Sequence, residues 1–311
     1  MQNAVCFIST SFSLSIQALI EHGYTVFDSK LYSFYKKVIR KIARTFKLYW
    51  KIFFRILWGG INLKSLESFQ IIIIFDFAME EYFYGLLSKY FPSKTLIIYY
   101  MDTIRGDIYR ERNIKKYKYS NVNIFSFDEQ DCIFFNLKHN PYFFTGQYLT
   151  DTLSYPDPLN KVFFIGYAKD RKEKIEKIKI ELDKLGINNN IIIIDTKQKN
   201  YSNSIIPYTD TLDIIKKSSI LLDIVREEQA GATQRELEAV FLKKKLITNN
   251  TYINQRKYYN ENNVFLIDFS KQNILENFID FLNKPFIDIN NDIKEYYSLE
   301  NWLARFFDNI T

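Results

Sequence analysis

The chain has 311 residues, of which 47% are hydrophobic and 25% are charged, and its net charge is +6 at neutral pH. This length provides for two domains with separate cores, and the composition is that of a globular rather than a disordered chain. Cys6 and Cys132 form no disulfide framework, and they have no metal-ligand spacing with the isolated His22 and His139. We therefore expect neither a bound metal nor Ser–His–Asp chemistry.

The amino-terminal segment predicts a strand at 3–9 (NAVCFIS), a loop at 10–13 (TSFS) and a helix that ends near Gly23. It lacks the positively charged start and the small-residue cleavage site of a secretory signal. No run of eighteen apolar residues predicts a membrane-spanning helix. We expect the protein to be cytoplasmic.

A strongly basic stretch follows, and it contains no acidic residue, so the rest of the chain has a net charge of −4. Its ten basic residues are Lys30, Lys36, Lys37, Arg40, Lys41, Arg44, Lys47, Lys51, Arg55 and Lys64. Within 36–58 they recur every three or four residues, with aromatic and aliphatic residues largely opposite, which predicts a basic amphipathic helix. Such a helix suits an anionic membrane surface. The alternatives are a solvated helix that packs on a core, and nucleic acid, which we do not expect.

Strands and helices then alternate regularly. Short β-branched or aromatic runs at 70–75, 94–100 and 122–127 predict strands buried on both faces, and 78–91 predicts a helix between the first two. Asp128 is placed to cap the next helix. Alternation at this spacing is typical of parallel βαβ units.

The alternation stops at 145–160, which contains two prolines and a glycine, and then resumes. A charged helix closed by Gly186 follows the first of five further predicted strands, at 161–166, 189–195, 219–225, 244–250 and 263–269. We expect an α/β protein with two doubly wound domains. The predicted domains are 1–150, with a basic insertion at about 30–64, and 151–288, followed by a carboxyl-terminal segment at 289–311.

The stretch EEQAGATQRELEA at 227–239 combines features that suit an anion. It leaves a predicted strand, turns at Gly231 and enters a helix that Thr233 caps, with Glu236 completing a capping box. A helix amino terminus beyond the carboxyl end of a strand favours phosphate, and Arg235 can bind phosphate through two hydrogen bonds. Glu238, one turn into the helix, can accept hydrogen bonds from ribose hydroxyls. The alternative is a capped helix whose charges face water.

The segments LLDIVREEQAGATQRELEAVFLKKKLITNN and YYNENNVFLI resemble the donor-binding half of bacterial glycosyltransferases of the GT-B architecture, in which two Rossmann-like domains face each other across a cleft. The closest likeness is to the group that builds lipooligosaccharide, O-antigen and capsule. LIIYYMDTIRGD, NIFSFDEQDC and FFIGYAKDR match further segments of that group. The likeness covers most of the chain, is densest at 160–268 and is weakest at 29–66.

The resemblance implies metal-independent transfer of a sugar from a nucleotide-sugar donor to a lipid-linked surface glycan, by an enzyme at the inner face of the cell membrane. No cofactor is implied. The implied donor-binding residues are Gly166, Lys169, Arg171, Glu228, Gln229, Gly231, Thr233, Arg235 and Glu238. Glu238 would hold the ribose, but many relatives have two glutamates eight residues apart, an interval that fits Glu228 and Glu236. The roles of these glutamates stay open.

The acceptor side of such an enzyme needs a base if the transfer inverts configuration. Asp76 and Asp102 follow predicted strands, and Asp102 is preferred because the resemblance places an aspartate there and Arg105 is close in sequence. Asp102 as a cap of the next turn is the alternative. Ser11 and Ser13, in the loop after the first strand, would contribute a polar acceptor surface.

The segment IKEYYSLENWLARFF at 293–307 predicts an amphipathic helix that, by the resemblance, crosses back to the first domain. Two other functions compatible with these features are a sugar-nucleotide epimerase of related shape and a non-catalytic nucleotide-binding component of a polysaccharide assembly complex.

Overall fold

Two units of parallel strands and helices form the computed structural model of the chain, and they span Met1–Asn140 and Pro141–Asn309. The structure describes residues 4–9, 14–28, 63–76, 81–114, 119–144, 161–168, 170–195, 206 and 208–308. The predicted basic helix at 36–58, the serines Ser11 and Ser13, and Lys169 lie outside the described residues.

The first unit contains a six-stranded parallel sheet. Its strands are β1 (Val5–Ser9), β2 (Thr25–Asp28), β3 (Ile71–Phe75), β4 (Thr95–Tyr100), β5 (Val122–Ser126) and β6 (Lys138–His139). Their order across the sheet is β2-β1-β3-β4-β5-β6. The isoleucine-rich runs form central strands because β-branched side chains pack well on both faces of a covered parallel sheet.

Helices connect these strands: α1 (Leu14–Glu21), α2 (Leu63–Leu66), α3 (Glu81–Tyr90), α4 (Ile108–Ile114) and α5 (Glu129–Phe135). Ile72, Ile74 and Ile98 on the sheet pack with Leu87 of α3 in one buried cluster. Asp128 caps α5 as predicted, and its carboxylate accepts hydrogen bonds from two backbone amides of the first turn.

The second unit contains a five-stranded parallel sheet in the order β11-β10-β9-β7-β8. The strands are β7 (Lys161–Tyr167), β8 (Asn188–Ile194), β9 (Ile220–Asp223), β10 (Lys245–Thr248) and β11 (Val264–Leu266). The helices are α6 (Lys172–Lys184), α7 (Tyr208–Lys216), α8 (Gln234–Phe241), a 3-10 helix (Thr251–Gln255), α9 (Phe278–Asn283), α10 (Asn291–Tyr296) and α11 (Leu299–Asp308). The two doubly wound sheets predicted from the sequence are confirmed.

The single helix predicted at 293–307 is wrong, because the chain forms α10 and α11 with a break at Tyr297 and Ser298. Ser298 explains the break, since its hydroxyl accepts a hydrogen bond from the amide of Asn301 at 3.2 Å and so caps α11. The carbonyl of Tyr297 instead accepts a hydrogen bond from the amide of Phe144 at 2.8 Å. Whether this segment crosses back to the first unit stays a prediction.

Each sheet has a topological switch point, which is a strand that has the next two strands of the chain on opposite sides of it. In the second unit β8 lies on one side of β7 and β9 on the other, and in the first unit β2 and β3 flank β1 in the same way. Ligands of open α/β sheets bind beyond the carboxyl ends of the strands at such switch points. The segments after β3, β7 and β9 are therefore where a binding site is expected.

Candidate functional site

The segment after β9, residues 224–233, is held by side chains from the segment after β10. The amide of Asn249 bonds both the backbone N–H of Val225, at 2.8 Å, and its carbonyl, at 3.1 Å. The carbonyl of Ala230 accepts hydrogen bonds from Asn250 Nδ2 at 3.2 Å and from Arg256 Nη2 at 2.5 Å. These bonds fix the approach to helix α8, because both ends of the segment are tied to the neighbouring strand's loop.

Thr233 caps α8 as the sequence predicts. Its extended backbone is that of an N-cap, and its hydroxyl accepts a hydrogen bond from the amide of Glu236 at 3.0 Å. The same hydroxyl donates to the Asp223 carboxylate at 2.7 Å, so the cap is joined to the end of β9. Burial raises the pKa of Asp223, and the Thr233 hydrogen bond and the charges of Arg171 and Arg235 act against that rise.

Arg171, at the start of α6, lies between the carboxyl ends of β7 and β9. Its guanidinium donates to the carbonyl of Tyr167 through Nε at 3.3 Å and to the carbonyl of Ile224 through Nη1. A Cβ at Gly166 would lie 3.0 Å from the Phe164 ring and 3.6 Å from Arg171 Nη2. Gly166 therefore keeps space for the Phe164 ring, while the distance to Arg171 is an ordinary van der Waals contact.

Arg235 and Glu238, predicted to bind phosphate and ribose respectively, form an ion pair with each other, with 2.6 Å between Nη1 and Oε2. The Arg235 guanidinium also lies over the ring of Phe163, 5.3 Å from its centroid. Glu238 is buried and Arg235 is partly buried. Arg171 and Arg235 are close enough to Asp223 for their charges to lower its pKa, so these residues form one group. We call Arg171, Asp223, Thr233, Arg235 and Glu238 the second-unit cluster.

Glu236 faces the protein interior. Its carboxylate accepts a hydrogen bond from the Tyr258 hydroxyl and lies 3.7 Å from Arg256 Nε. Burial and the nearby Glu236 charge raise the pKa of Tyr258 well above its usual value. Glu236 thus links α8 to the segment that also binds the Ala230 carbonyl, and these bonds indicate a structural role for Glu236.

The two polar residues before Gly231 lie half-buried on the turn that leads to α8. Gln229 donates through Nε2 to the carbonyl of Gly231 at 3.3 Å, which stabilises the turn. Glu228 is also half-buried, whereas Gly231 is buried. The roles predicted for these three residues in donor binding stay predictions.

In the first unit, Asp76 directly follows β3, and its side chain is buried. Its carboxylate accepts hydrogen bonds from the amide of Met101 at 3.1 Å and from Arg110 Nε at 3.0 Å. Burial raises the pKa of Asp76 to about 6, and the charge of Arg110 acts against this rise. The side chain is 3% exposed, so Asp76 is almost fully enclosed.

Asp102 follows β4 and is more accessible, since 39% of its side chain is exposed. Its Oδ2 lies 3.3 Å from Arg110 Nη1, and its Oδ1 accepts a hydrogen bond from the amide of Thr103 at 3.1 Å. Asp107, at the start of α4, lies 3.4 Å from the same Arg110 nitrogen. One guanidinium therefore holds three carboxylates, and we call Asp76, Asp102, Asp107 and Arg110 the first-unit cluster.

Arg105, which the sequence places near Asp102, binds other aspartates. Its Nε donates to Asp131 Oδ1 at 2.8 Å, and its Nη2 lies 3.4 Å from Asp128 Oδ1. Both aspartates are fully buried, so Arg105 joins the segment after β4 to the first turn of α5. The guanidinium that pairs with Asp102 is that of Arg110, which the sequence analysis did not single out. The acceptor-side role of Arg105 stays a prediction.

No protein-family model and no curated protein matches the chain. Solved structures do match, among them a UDP-forming α,α-trehalose-phosphate synthase from Burkholderia xenovorans, with a TM-score of 0.62 and 12% identity over 99% of this chain and 98% of the other. A glycosyltransferase from Rickettsia africae ESF-5 matches with a TM-score of 0.52 and 11% identity, over 97% and 88% of the two chains. A UDP-GlcNAc 2-epimerase from Neisseria meningitidis gives a TM-score of 0.48 at 12% identity, over 100% and 99%.

The chain has the α/β fold of the two-domain GT-B proteins. At identities of 11–12% the likeness establishes the fold and leaves the reaction to be argued from the residues. Ligands of open α/β sheets bind beyond the carboxyl ends of the strands at a switch point, which here lies at β7 and β9, and the second-unit cluster lies there.

The described residues also bear on the expected independence of metal. They contain no group of three or more His, Cys, Asp or Glu side chains arranged to hold a metal ion, and the expected independence of metal stays a prediction. None of the described helices has both the length and the apolar character needed to cross a membrane.

The residues that the sequence analysis missed are those joined through long-range contacts. Arg110 and Arg256 both belong to segments without a recognisable motif. Each acquires its role only when the fold brings it to a carboxylate more than fifteen residues away, Asp76 for Arg110 and Glu236 for Arg256. The Arg235–Glu238 pair, in contrast, has i, i+3 spacing on a helix, which predicts contact from sequence alone.

Proposed function

We propose that the protein is a glycosyltransferase that moves a sugar from a nucleotide-sugar donor to a hydroxyl group of a glycan. The observation that carries this proposal is the placement of Arg171 and Arg235 near Asp223, whose pKa their charges lower, beside the amino end of α8 at the switch point of the second sheet. The GT-B fold and the names of the matching solved structures, a trehalose-phosphate synthase and a glycosyltransferase, support it.

The donor's diphosphate binds at the second-unit cluster in this proposal. When the bond between the sugar and the diphosphate breaks, negative charge develops on the leaving phosphate. Guanidinium groups and the free amides at a helix amino terminus stabilise such charge, because they are oriented before the reaction begins. Arg171, Arg235 and the first turn of α8 provide both kinds of group, and Gly166, Lys169 and Gly231 flank them in sequence.

Glu238 holds the ribose in this proposal, although it pairs with Arg235 in the unliganded chain. The variant Glu238→Gln distinguishes the proposed ribose contact from the ion pair with Arg235. Glutamine lacks the negative charge that competes for Arg235, and it is a weaker acceptor of hydrogen bonds from ribose hydroxyls. We expect the variant to bind inorganic pyrophosphate more tightly than wild type and a nucleoside diphosphate more weakly. Parallel changes for both ligands would show that Glu238 does not contact ribose.

Asp102 accepts the proton of the attacking hydroxyl in this proposal, for a transfer that inverts configuration. The hydroxyl oxygen forms the new bond to the anomeric carbon, the bond to the diphosphate breaks, and the proton passes to the carboxylate. Asp102 is preferred over Asp76 because its side chain is far more exposed. Arg110 positions Asp102 and keeps the buried Asp76 ionised near neutral pH.

The acceptor, in the same proposal, is a growing lipid-linked glycan of the bacterial surface, such as lipopolysaccharide, O-antigen or capsule. Two features support it: the resemblance of the 222–249 segment to enzymes of that group, and the basic stretch between Lys30 and Lys64. A lipid-linked acceptor lies at a membrane, and a peripheral enzyme at its inner face needs a surface that binds anionic lipid.

A thermal-shift screen against a panel of sugar nucleotides tests the donor. A ligand at 100 times its dissociation constant stabilises the folded state by about 2.7 kcal/mol, which is readily detected. We expect one or a few donors to raise the melting temperature of wild type but not of Arg171→Ala. Lys179→Ala, which removes an exposed cation paired with Asp183 on the same helix, is the matched control.

The stabilising donor is then incubated with the protein, and the products are analysed. A glycosyltransferase slowly releases the nucleoside diphosphate by hydrolysis, an epimerase returns an isomeric sugar nucleotide, and a non-catalytic binding protein returns the donor unchanged. Absence of any stabilising sugar nucleotide, or either of the last two product patterns, would contradict the proposed transfer.

A further inference from the structure

Glu236 places a buried negative charge in the first turn of α8, beside the proposed diphosphate site. It is the third residue of the helix, next in sequence to Arg235, and it is fully buried. The second-unit cluster has two arginines against the carboxylates of Asp223 and Glu238. The Glu236 carboxylate would tip this balance toward negative charge, and a buried charge without compensation is costly and repels a nearby anion. The proposed site therefore needs a cation that neutralises Glu236.

Arg256 supplies such a cation from the segment after β10. Its Nε lies 3.7 Å from the Glu236 carboxylate, and its side chain is 11% exposed, so salt and water screen the pair weakly. The Tyr258 hydroxyl donates a hydrogen bond to the same carboxylate but stays neutral, because burial and the Glu236 charge raise its pKa well above the usual value. Tyr258 therefore brings a hydrogen bond to Glu236, and Arg256 brings positive charge.

The same guanidinium also holds the turn that leads into α8. Its Nη2 donates to the carbonyl of Ala230 at 2.5 Å, and Asn250 Nδ2 donates to that carbonyl at 3.2 Å. The backbone of Arg256 is itself fixed, since its amide donates to the carbonyl of Ile253 at 3.0 Å. Because Asn250 remains when Arg256 is replaced, the Ala230 carbonyl keeps a partner. The main consequence of replacing Arg256 is therefore the loss of positive charge next to Glu236.

We propose that Arg256 is a positioning residue of the donor site, which neutralises Glu236 and holds the Ala230 carbonyl so that the amino end of α8 accepts a diphosphate. Arg256 acts through these two groups and does not itself contact the donor. The inference rests on the proposed function, because it concerns the anion that the second-unit cluster binds. It adds a residue from the segment after β10 to a site built by the segments after β7 and β9.

Isothermal titration of inorganic pyrophosphate into the full chain tests this role. The variants are Arg256→Met, Arg256→Lys, Glu236→Gln and the double variant that combines Arg256→Met with Glu236→Gln. The matched control is Arg305→Met, which removes another guanidinium of the same unit that donates to a backbone carbonyl, that of Tyr296 at 2.6 Å. Each titration is run below the melting temperature of the least stable variant, so that folded proteins are compared.

We expect Arg256→Met to bind pyrophosphate about tenfold or more weakly than wild type, because Glu236 then carries an uncompensated charge. Arg256→Lys, which keeps the charge, should recover part of the loss. The double variant should regain most of it, since it lacks both charges. Glu236→Gln alone should bind more tightly than wild type, because the guanidinium of Arg256 then attracts the anion, and Arg305→Met should bind like wild type. A purely structural role of Arg256 predicts neither the recovery in the double variant nor the tighter binding of Glu236→Gln.

Wild-type affinity in Arg256→Met, or a double variant as weak as Arg256→Met, would overturn the role of Arg256 and leave the proposed donor site in place. A Glu236→Gln variant that binds pyrophosphate more weakly than wild type would overturn this role too. A wild type that binds no pyrophosphate would instead contradict the proposed donor site itself, and the role of Arg256 would fall with it. Should Arg256→Met fail to fold, the affinities of Arg256→Lys and Glu236→Gln decide the question in the same way.

Discussion

The first-unit and second-unit clusters both lie at carboxyl ends of parallel strands, and both pair arginine with a carboxylate, but they differ in charge. In the first unit one guanidinium, that of Arg110, serves the carboxylates of Asp76, Asp102 and Asp107. In the second unit two guanidiniums balance the carboxylates of Asp223 and Glu238, next to the positive end of a helix. A surplus of carboxylate suits the acceptance of a proton, and arginines beside a helix amino terminus suit a phosphate.

The first-unit and second-unit clusters also differ in how far their carboxylates are buried. Asp102 and Asp107 are the most accessible side chains of the first-unit cluster, at 39% and 32% exposed, whereas Asp223 and Glu238 are buried. Under the proposed function the two clusters have different chemical tasks, and substitutions in each should affect different steps.

The largest expected effect is that of Asp102→Asn. If Asp102 takes the acceptor's proton, the variant loses about 10²- to 10⁴-fold in kcat, the usual contribution of a general base, while donor affinity is unchanged. Steady-state kinetics with saturating donor measures the first quantity, and equilibrium titration measures the second. Thr103→Ala, next to it in the chain, is the control. A variant with wild-type kcat would remove Asp102 from the chemistry.

Arg171→Ala should weaken binding of a nucleoside diphosphate by about 10- to 100-fold, because a hydrogen bond to a charged group contributes about 1.5–3 kcal/mol. Arg171→Lys keeps the charge but not the planar geometry, so its affinity should lie between those of Arg171→Ala and wild type. Isothermal titration measures the affinities. Equal affinities for all three proteins would place the diphosphate away from this arginine.

The third effect is on pH dependence. The pKa of Asp76 is raised to about 6, so its carboxylate is ionised and paired with Arg110 above that pH and loses the pairing below it. We expect kcat/KM to rise with pH through an apparent pKa near 6. Arg110→Gln removes the charge that lowers the Asp76 pKa, so the rise should move to higher pH, and Asp76→Asn should abolish it. A pH profile unaffected by both substitutions would contradict the assignment of this rise to the ionisation of Asp76.

Thr233→Ala should have the smallest effect. Loss of the N-cap costs about 0.5–2 kcal/mol of unfolding free energy, and it also leaves Asp223 without a hydroxyl partner. Chemical denaturation measures the change. Thr233→Ser, which retains the hydroxyl, should stay close to wild type, and a serine variant as unstable as the alanine variant would show that the threonine methyl group is what matters.

Much of the fold could be predicted because its signals are local. The isoleucine-rich runs indicate buried strands by composition, and Thr233 and Asp128 indicate helix starts by their positions before amphipathic segments. The break at Ser298 escaped prediction because the apolar periodicity continues across it. There the Ser298 hydroxyl caps the second helix, and the Tyr297 carbonyl accepts a hydrogen bond from the amide of Phe144, which is far away in sequence. These two contacts end one helix and begin the next.

The candidate site was only partly predictable for a related reason. Sequence motifs indicated Arg171, Thr233, Arg235 and Asp102, and helical spacing allows the contact of Arg235 with Glu238, but the sequence could not show that Asp102 pairs with Arg110. Arg110 gains its role from β3 and β4 lying side by side, a matter of sheet order.

The most direct test of the account is a paired titration of one nucleoside diphosphate, whichever of UDP, GDP and CDP most stabilises wild type, into Arg171→Ala and Asp102→Asn. The account predicts that Arg171→Ala binds it at least about tenfold more weakly than wild type, while Asp102→Asn binds it with wild-type affinity. Binding lost in Asp102→Asn but retained in Arg171→Ala would contradict the assignment of the anion site to the second unit.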